Sequence, residues 1–132
     1  MAGNFIIFSC LPGKVLLMQK VKDLVVYQAA LSNLYKVYLL ALKHPLLSKD
    51  YALRDQLKRA ALSVTLNIVE GFATSKKQFA YYLLIAIGSA NEVLILLEII
   101  QKIYAIDTSE LYEEYLFLAK RLSILRRKIL TS

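Results

Sequence analysis

Arg54 and Lys58 stand four residues apart, one helical turn, and Lys120, Arg121, Arg126, Arg127 and Lys128 crowd together near the C-terminus. Such side chains hold phosphate by charge and charge-assisted hydrogen bonds, and they give affinity with little base specificity. The chain carries 17 Lys and Arg against 10 Asp and Glu, a formal net charge of +7. That excess favours a polyanionic partner, nucleic acid before others. Part of the C-terminal group also complements the negative end of a helix. Of the 9 tyrosines, Tyr81, Tyr82, Tyr112 and Tyr115 can add stacking only where they are exposed, and Tyr115 falls in an apolar repeat that marks it as core.

Other reactive residues are poorly organised. His44 is the single histidine and sits beside Pro45 at a helix end; Cys10 is the single cysteine and has no neighbour to activate it. Glu110, Glu113 and Glu114 fall in the first turn of a helix, where they favour its dipole. There is no Gly-rich phosphate loop, HExxH pair or Ser/His/Asp set, and one histidine cannot supply the two Glu-x-x-His motifs of a di-iron bundle. No catalytic residue, metal site or cofactor is expected. One cysteine also forbids an intrachain disulfide, which points to an intracellular, cytoplasmic setting.

The elements that position the basic residues are helices. With 58% hydrophobic residues and only 4 Gly and 2 Pro, the chain suits one all-α domain. Leu24, Tyr27, Leu31, Leu34, Tyr38 and Leu42 predict a first helix over 20–43 with that stripe inward, ended by His44-Pro45. Leu53, Leu57, Ala60, Val64 and Ile68 predict a second helix from Ser48 or Lys49 to Glu70, with Arg54 and Lys58 facing away from its stripe and Gly71 as a positive-φ terminus. Thr74 or Ser75 caps a third, which runs to Tyr104 on the face Phe79, Leu83, Ala86, Ala90, Val93, Leu97 and Ile100. This helix is apolar on other sides as well, so Leu84, Ile95 and Ile99 become candidates for a subunit contact. Asp107-Thr108-Ser109 leads into a fourth helix, 110–130. Leu111, Leu118, Leu125 and Tyr115, Leu122, Ile129 repeat there every seven residues, as left-handed helix packing requires. Short links make an antiparallel up-down-up-down four-helix bundle over 20–132.

Polar residues inside the pattern suggest register. With the turn between helices two and three near Thr74, Asn67 faces Tyr81, Ser63 faces Ile85, Arg59 faces Ser89 and Gln56 faces Glu92. Arg59 then reaches Glu92 in an interhelical salt bridge. Glu70, unfavourably placed at a helix C-terminus, is expected to accept from backbone N–H groups near Lys76 and Lys77. Gly88-Ser89-Ala90 interrupts a helix of large side chains, and close helix approach is the expected compensation for the glycine.

Residues 1–19 stand apart from this pattern. Phe5 to Leu11 is apolar but lacks preceding basic residues, and Pro12-Gly13 interrupts it too soon to span a membrane. Ile7-Phe8-Ser9-Cys10 is similar to a lipoprotein processing site, but the preferred reading is a poorly ordered extension, with Met18 as a candidate natural start and no membrane attachment.

Three segments carry a family resemblance: 22–28 (KDLVVYQ), 55–72 (DQLKRAALSVTLNIVEGF), and 76–79 with 85–92 (KKQF and IAIGSANE). Together, and above all in the order Gln56, Arg59, Ser63, Asn67, Glu70, Gly71, Gly88, Ser89, Glu92, they resemble the bacterial four-helix-bundle proteins encoded in intervening sequences of large-subunit ribosomal RNA genes. The accessory variability determinants of diversity-generating retroelements are related to that family. The resemblance implies a ring-shaped homo-oligomer, typically a pentamer, with a basic surface. For the retroelement branch it implies binding a reverse transcriptase together with RNA. This chain lacks the proline that the family commonly has within Ser63 to Asn67, so a kink expected in helix two is absent. The expected function is therefore that of a non-catalytic accessory protein that binds RNA and, in the retroelement branch, a reverse transcriptase. A protein-only scaffold is the alternative.

Overall fold

A computed structural model describes residues 20–22 and 24–132; the extension over 1–19, with Cys10 and Met18, lies outside the described residues. Five helices follow in order: α1 (Val25–Lys43), α2 (Pro45–Lys49), α3 (Tyr51–Phe72), α4 (Lys76–Tyr104) and α5 (Ser109–Thr131). The four long ones form an antiparallel bundle in which α1 packs on α3 and α5, and α4 packs on the same two helices from the other side. Both α1 and α4 run up while α3 and α5 run down. One end of the bundle therefore gathers the start of α1, the end of α3, the start of α4 and the end of α5. The opposite end gathers α2, the start of α3 and the start of α5.

Residues spaced by three and four build the core as expected on three of the four helices. Leu57, Ala60, Val64 and Ile68 of α3 meet Leu83, Ala86, Ala90, Val93, Leu97 and Ile100 of α4. Leu111, Tyr115, Leu118 and Leu122 of α5 close the other side, with Leu125 and Ile129 partly buried. On α1 the buried face is rotated from the expected one. Val26, Ala30, Leu34, Val37 and Ala41 point inward, whereas Tyr38 and Leu42 are exposed and Leu24, Tyr27 and Leu31 lie at the margin. Alanines admit close helix approach, and the larger residues are displaced to the flanks.

The ring of Tyr115 is completely buried, and its hydroxyl has no hydrogen-bond partner among the described residues. Burial pushes this phenol well above its ordinary pKa. An unpaired buried hydroxyl is destabilising, and Phe keeps the ring without it. Tyr115→Phe is expected to raise stability by about 1 kcal/mol, measured by urea unfolding; an unchanged or lower midpoint would show that the hydroxyl is satisfied.

The joints are set by short-range hydrogen bonds. Pro45 stops α1 and occupies the first turn of α2, where its missing N–H is harmless. The predicted start of the second long helix, Ser48 or Lys49, falls within this short helix, and the long one begins at Tyr51. Asp50 then caps α3 by accepting from the Leu53 N–H at 3.2 Å, and its other oxygen accepts from the Tyr104 hydroxyl at 2.6 Å. The Tyr104 hydrogen bond lowers the Asp50 carboxyl pKa and raises that of the phenol. Ser75 caps α4 by accepting from the Gln78 N–H, as expected. Ala105 ends α4 at φ 55°, a left-handed position usually given to glycine. Thr108 closes that corner by donating to the Leu97 carbonyl at 2.9 Å.

Gly71 departs from expectation. Its φ is not positive and it lies inside α3. A Cβ built there would stand 2.5 Å from the Cβ of Tyr82 and 3.0 Å from the Phe79 ring. The glycine is required by the contact between α3 and α4 where they meet at the hairpin. Helix α3 is also continuous through Ser63 to Asn67, in keeping with the absent proline.

Candidate nucleic-acid interface

Basic side chains collect at the hairpin end of the bundle. Arg121, Arg126, Arg127 and Lys128 lie in the last three turns of α5, and Lys76 and Lys77 open α4 beside them. Arg126 is fixed there: its Nε donates to the Ala80 carbonyl at 3.0 Å. Lys76 Nζ reaches the Ser132 hydroxyl at 3.5 Å, which ties the start of α4 to the end of α5. Arg121 lies over the Phe117 ring with 4.3 Å to its centroid. Arg127 and Lys128 project into solvent, and Lys120 is exposed nearer the middle of α5. A shallow groove lined by Ser75, Lys77, Gln78, Tyr81, Arg126 and Leu130 runs between the two helices. Among the described residues, Glu70 is the one acid at this end.

Acids dominate the other end: Asp50, Asp55, Glu98, Asp107, Glu110, Glu113 and Glu114. There they face Lys36, Lys43, Lys49 and Lys102. Lys36 pairs with Glu114 at 2.6 Å, joining α1 to α5. The charge is thus polarised along the bundle axis.

Arg54 and Lys58 do not join the basic end. They sit in the first turns of α3, whereas the C-terminal cluster sits in the last turns of α5, and both helices run the same way. At about 1.5 Å per residue, some ten or more residues of rise put roughly 15–20 Å along the axis between the two groups. Helices α3 and α5 are also diagonal across the bundle. A single basic stripe combining them is therefore not formed. Nor do the two side chains stand free: Arg54 Nε pairs with Asp55 at 2.9 Å and its Nη1 donates to the Ser48 carbonyl at 2.9 Å. Its guanidinium carbon lies 4.7 Å from the centroid of the Tyr51 ring, and Lys58 Nζ lies 4.9 Å from that of Tyr38.

The polar seam between α3 and α4 keeps the expected level but changes partners. Gln56 Nε2 donates to Glu92 at the predicted register. Ser63 and Ser89 hydroxyls meet at 2.8 Å, and Asn67 Nδ2 donates to the Ser63 carbonyl and hydroxyl at 2.8 and 3.0 Å. Arg59 makes no ion pair among the described residues and is exposed. Gln56 occupies the Glu92 carboxylate in its stead. Glu70 is likewise exposed and caps nothing among the described residues; Ser75 and the Thr74 hydroxyl, which donates to the Gly71 carbonyl at 2.6 Å, complete that turn. These residues knit the helices, and among the described residues none forms an ion pair with the basic end.

Along α4, Leu84, Gly88, Ile95 and Ile99 recur at helical spacing on one exposed line, and the three large side chains are 49%, 57% and 37% exposed. A Cβ at Gly88 would meet nothing within 4 Å. The expected close approach is therefore not made among the described residues. By length and composition α4 could cross a membrane, with mean hydropathy 2.1 over its most apolar stretch; its inward face instead fills the bundle core.

The fold has a counterpart among solved structures. A crystal structure from Bacteroides thetaiotaomicron, described as a protein of unknown function from the S23 ribosomal protein family, is similar at TM-score 0.66 and 25% identity, over 82% of this chain and 100% of that one. A comparison with curated proteins returns no match. The model of the 23S rRNA-intervening sequence proteins matches residues 22–127, which include α1 to α4, most of α5 and the seam from Gln56 to Glu92, so the chain belongs to that family.

Proposed function

We propose that this protein is a non-catalytic accessory protein that associates with RNA through the hairpin end of its bundle and acts as a ring of identical subunits, a pentamer being favoured. The observation that carries the reading is the polarised charge: Arg121, Arg126, Arg127, Lys128, Lys76 and Lys77 at one end, with Glu70 as the sole acid there among the described residues. Basic groups that form no ion pair among the described residues are free to replace counterions on a phosphate backbone. The family's description ties its members to 23S ribosomal RNA, which makes structured RNA the first ligand to test. In a closed ring, cyclic symmetry would put every basic end on one rim and multiply the contacts available to one polyanion. Leu84, Ile95 and Ile99 are the subunit contact in this reading. A reverse transcriptase would be the protein partner in the retroelement branch.

A second reading, a protein-only oligomeric scaffold, is favoured by that same apolar line on α4. One experiment separates the two. Binding of the purified protein to structured RNA is followed across a salt titration, with oligomer mass measured by light scattering in the same samples. Tight binding by a ring, falling steeply with salt, is expected. A stable ring without RNA affinity would replace the first reading by the second.

A further inference from the structure

At the end of the bundle opposite the basic cluster, Tyr51, Arg54, Lys58 and Tyr38 form one continuous ladder. Tyr51, Arg54 and Lys58 follow one another at spacings of three and four on α3, which puts them on one face; Tyr38 comes across from α1. Each cation covers one ring, at 4.7 Å for Arg54 on Tyr51 and 4.9 Å for Lys58 on Tyr38. Because residues four apart on a helix lie about 6 Å from each other, the two cation–ring pairs are neighbours. The order along the surface is ring, cation, cation, ring.

Tyr51 is 65% exposed, so its outer face remains open to solvent while Arg54 occupies the inner one. Arg54 is anchored on two sides by Asp55 and the Ser48 carbonyl, which fixes its plane against the ring. This is not the makeup of a core edge, since a ring so exposed gains little from burial. It is the makeup of a stacking platform, with aromatic faces for bases and the Lys58 ammonium, which has no ion pair among the described residues, beside them for a phosphate.

From this geometry we infer that Tyr51 and Tyr38, with Arg54 and Lys58 behind them, form a second RNA-binding element that takes unpaired bases. Bases inside a duplex present their faces only to each other, so the platform selects single-stranded or looped-out segments. The inference rests on the proposed association with RNA and adds to it a division of labour. The hairpin end attracts the backbone without regard to pairing, and the ladder discriminates in favour of unpaired RNA. Leu42, one turn beyond Tyr38 on α1 and exposed, bounds the platform.

The test compares two probes on the full-length protein: a short fluorescent oligouridylate, and a blunt two-stranded RNA duplex with the same number of phosphates. Tyr51→Ala and Tyr38→Ala are each expected to weaken oligouridylate binding about fivefold or more, with duplex binding within about twofold of the parent. The salt dependence stays the same because no phosphate contact is removed. Tyr51→Phe and Tyr38→Phe, which keep the rings, retain affinity. Equal losses for both probes, or no loss for either with the parent still binding, would overturn the ladder and leave the RNA reading standing. A parent protein with no affinity for either probe overturns both. A change in oligomer mass in the alanine variants assigns the rings to a subunit contact and also overturns the inference.

Discussion

Gly71→Ala is expected to lower the thermal midpoint by about 8 °C, while Gly88→Ala in dilute protein raises it by about 4 °C. Both glycines are helical, so alanine at either position gains about 1 kcal/mol of helix propensity. The surroundings differ. At Gly71 the new Cβ would be placed 2.5 Å from the Cβ of Tyr82, an atom held by its own helix backbone that cannot rotate away. Helices α3 and α4 must move apart at their tightest point, and overpacking of that kind costs about 3 kcal/mol, leaving a net loss near 2. At Gly88 nothing stands within 4 Å, and the propensity gain is kept whole. Calorimetry on the two variants checks the pair. Equal shifts would mean that the helices at Gly71 are free to separate, and that the hairpin is not the rigid joint described here.

The same glycine shows where sequence reasoning stops. A glycine at the end of an apolar helical run signals a left-handed terminus or a close contact, and composition does not distinguish them. Only the packing partner, Tyr82, does so. Conversely, the true left-handed terminus falls on Ala105, which carries no glycine signal. Ser75 was legible because a cap is a local event, and the α5 repeat was legible because seven-residue spacing survives any tertiary context. The α1 stripe was misread because size was taken as a guide to burial. Ala30 and Ala41 are buried where helices approach, and Leu39 and Leu42 are left outside. Register along the hairpin was legible to the level of Gln56 and Glu92, but the choice of side chain that takes the carboxylate was not: Gln56 donates to Glu92 and Arg59 stays exposed. The basic groups were each visible in the sequence. Their separation follows from topology: in an up-down-up-down bundle the second and fourth long helices run in the same direction, so a cluster at the start of one and a cluster at the end of the other must occupy opposite ends.

That separation makes the charge variants decisive. Replacing Lys76, Lys77, Arg127 and Lys128 together by glutamine is expected to weaken structured-RNA binding on the order of a hundredfold at about 0.1 M salt, and to flatten the plot of log affinity against log salt by about 3. Each lost phosphate contact takes nearly one released counterion with it. Arg126 is left in place because it holds the Ala80 carbonyl, and its loss would confuse binding with folding. The matched control replaces Lys36, Lys43 and Lys49 by glutamine at the acidic end, where affinity for fully paired RNA should stay within about threefold because these lysines are already offset by the carboxylates around them. Equal losses from the two sets would mean that total charge, rather than its placement, governs binding. Stability supplies the remaining check. The four substitutions relieve repulsion among crowded cations but remove favourable charge from the end of α5, opposing effects of about 1 kcal/mol or less each. The thermal midpoint should therefore barely move, and a large loss of RNA affinity at unchanged stability would locate the phosphate-binding surface at the hairpin end.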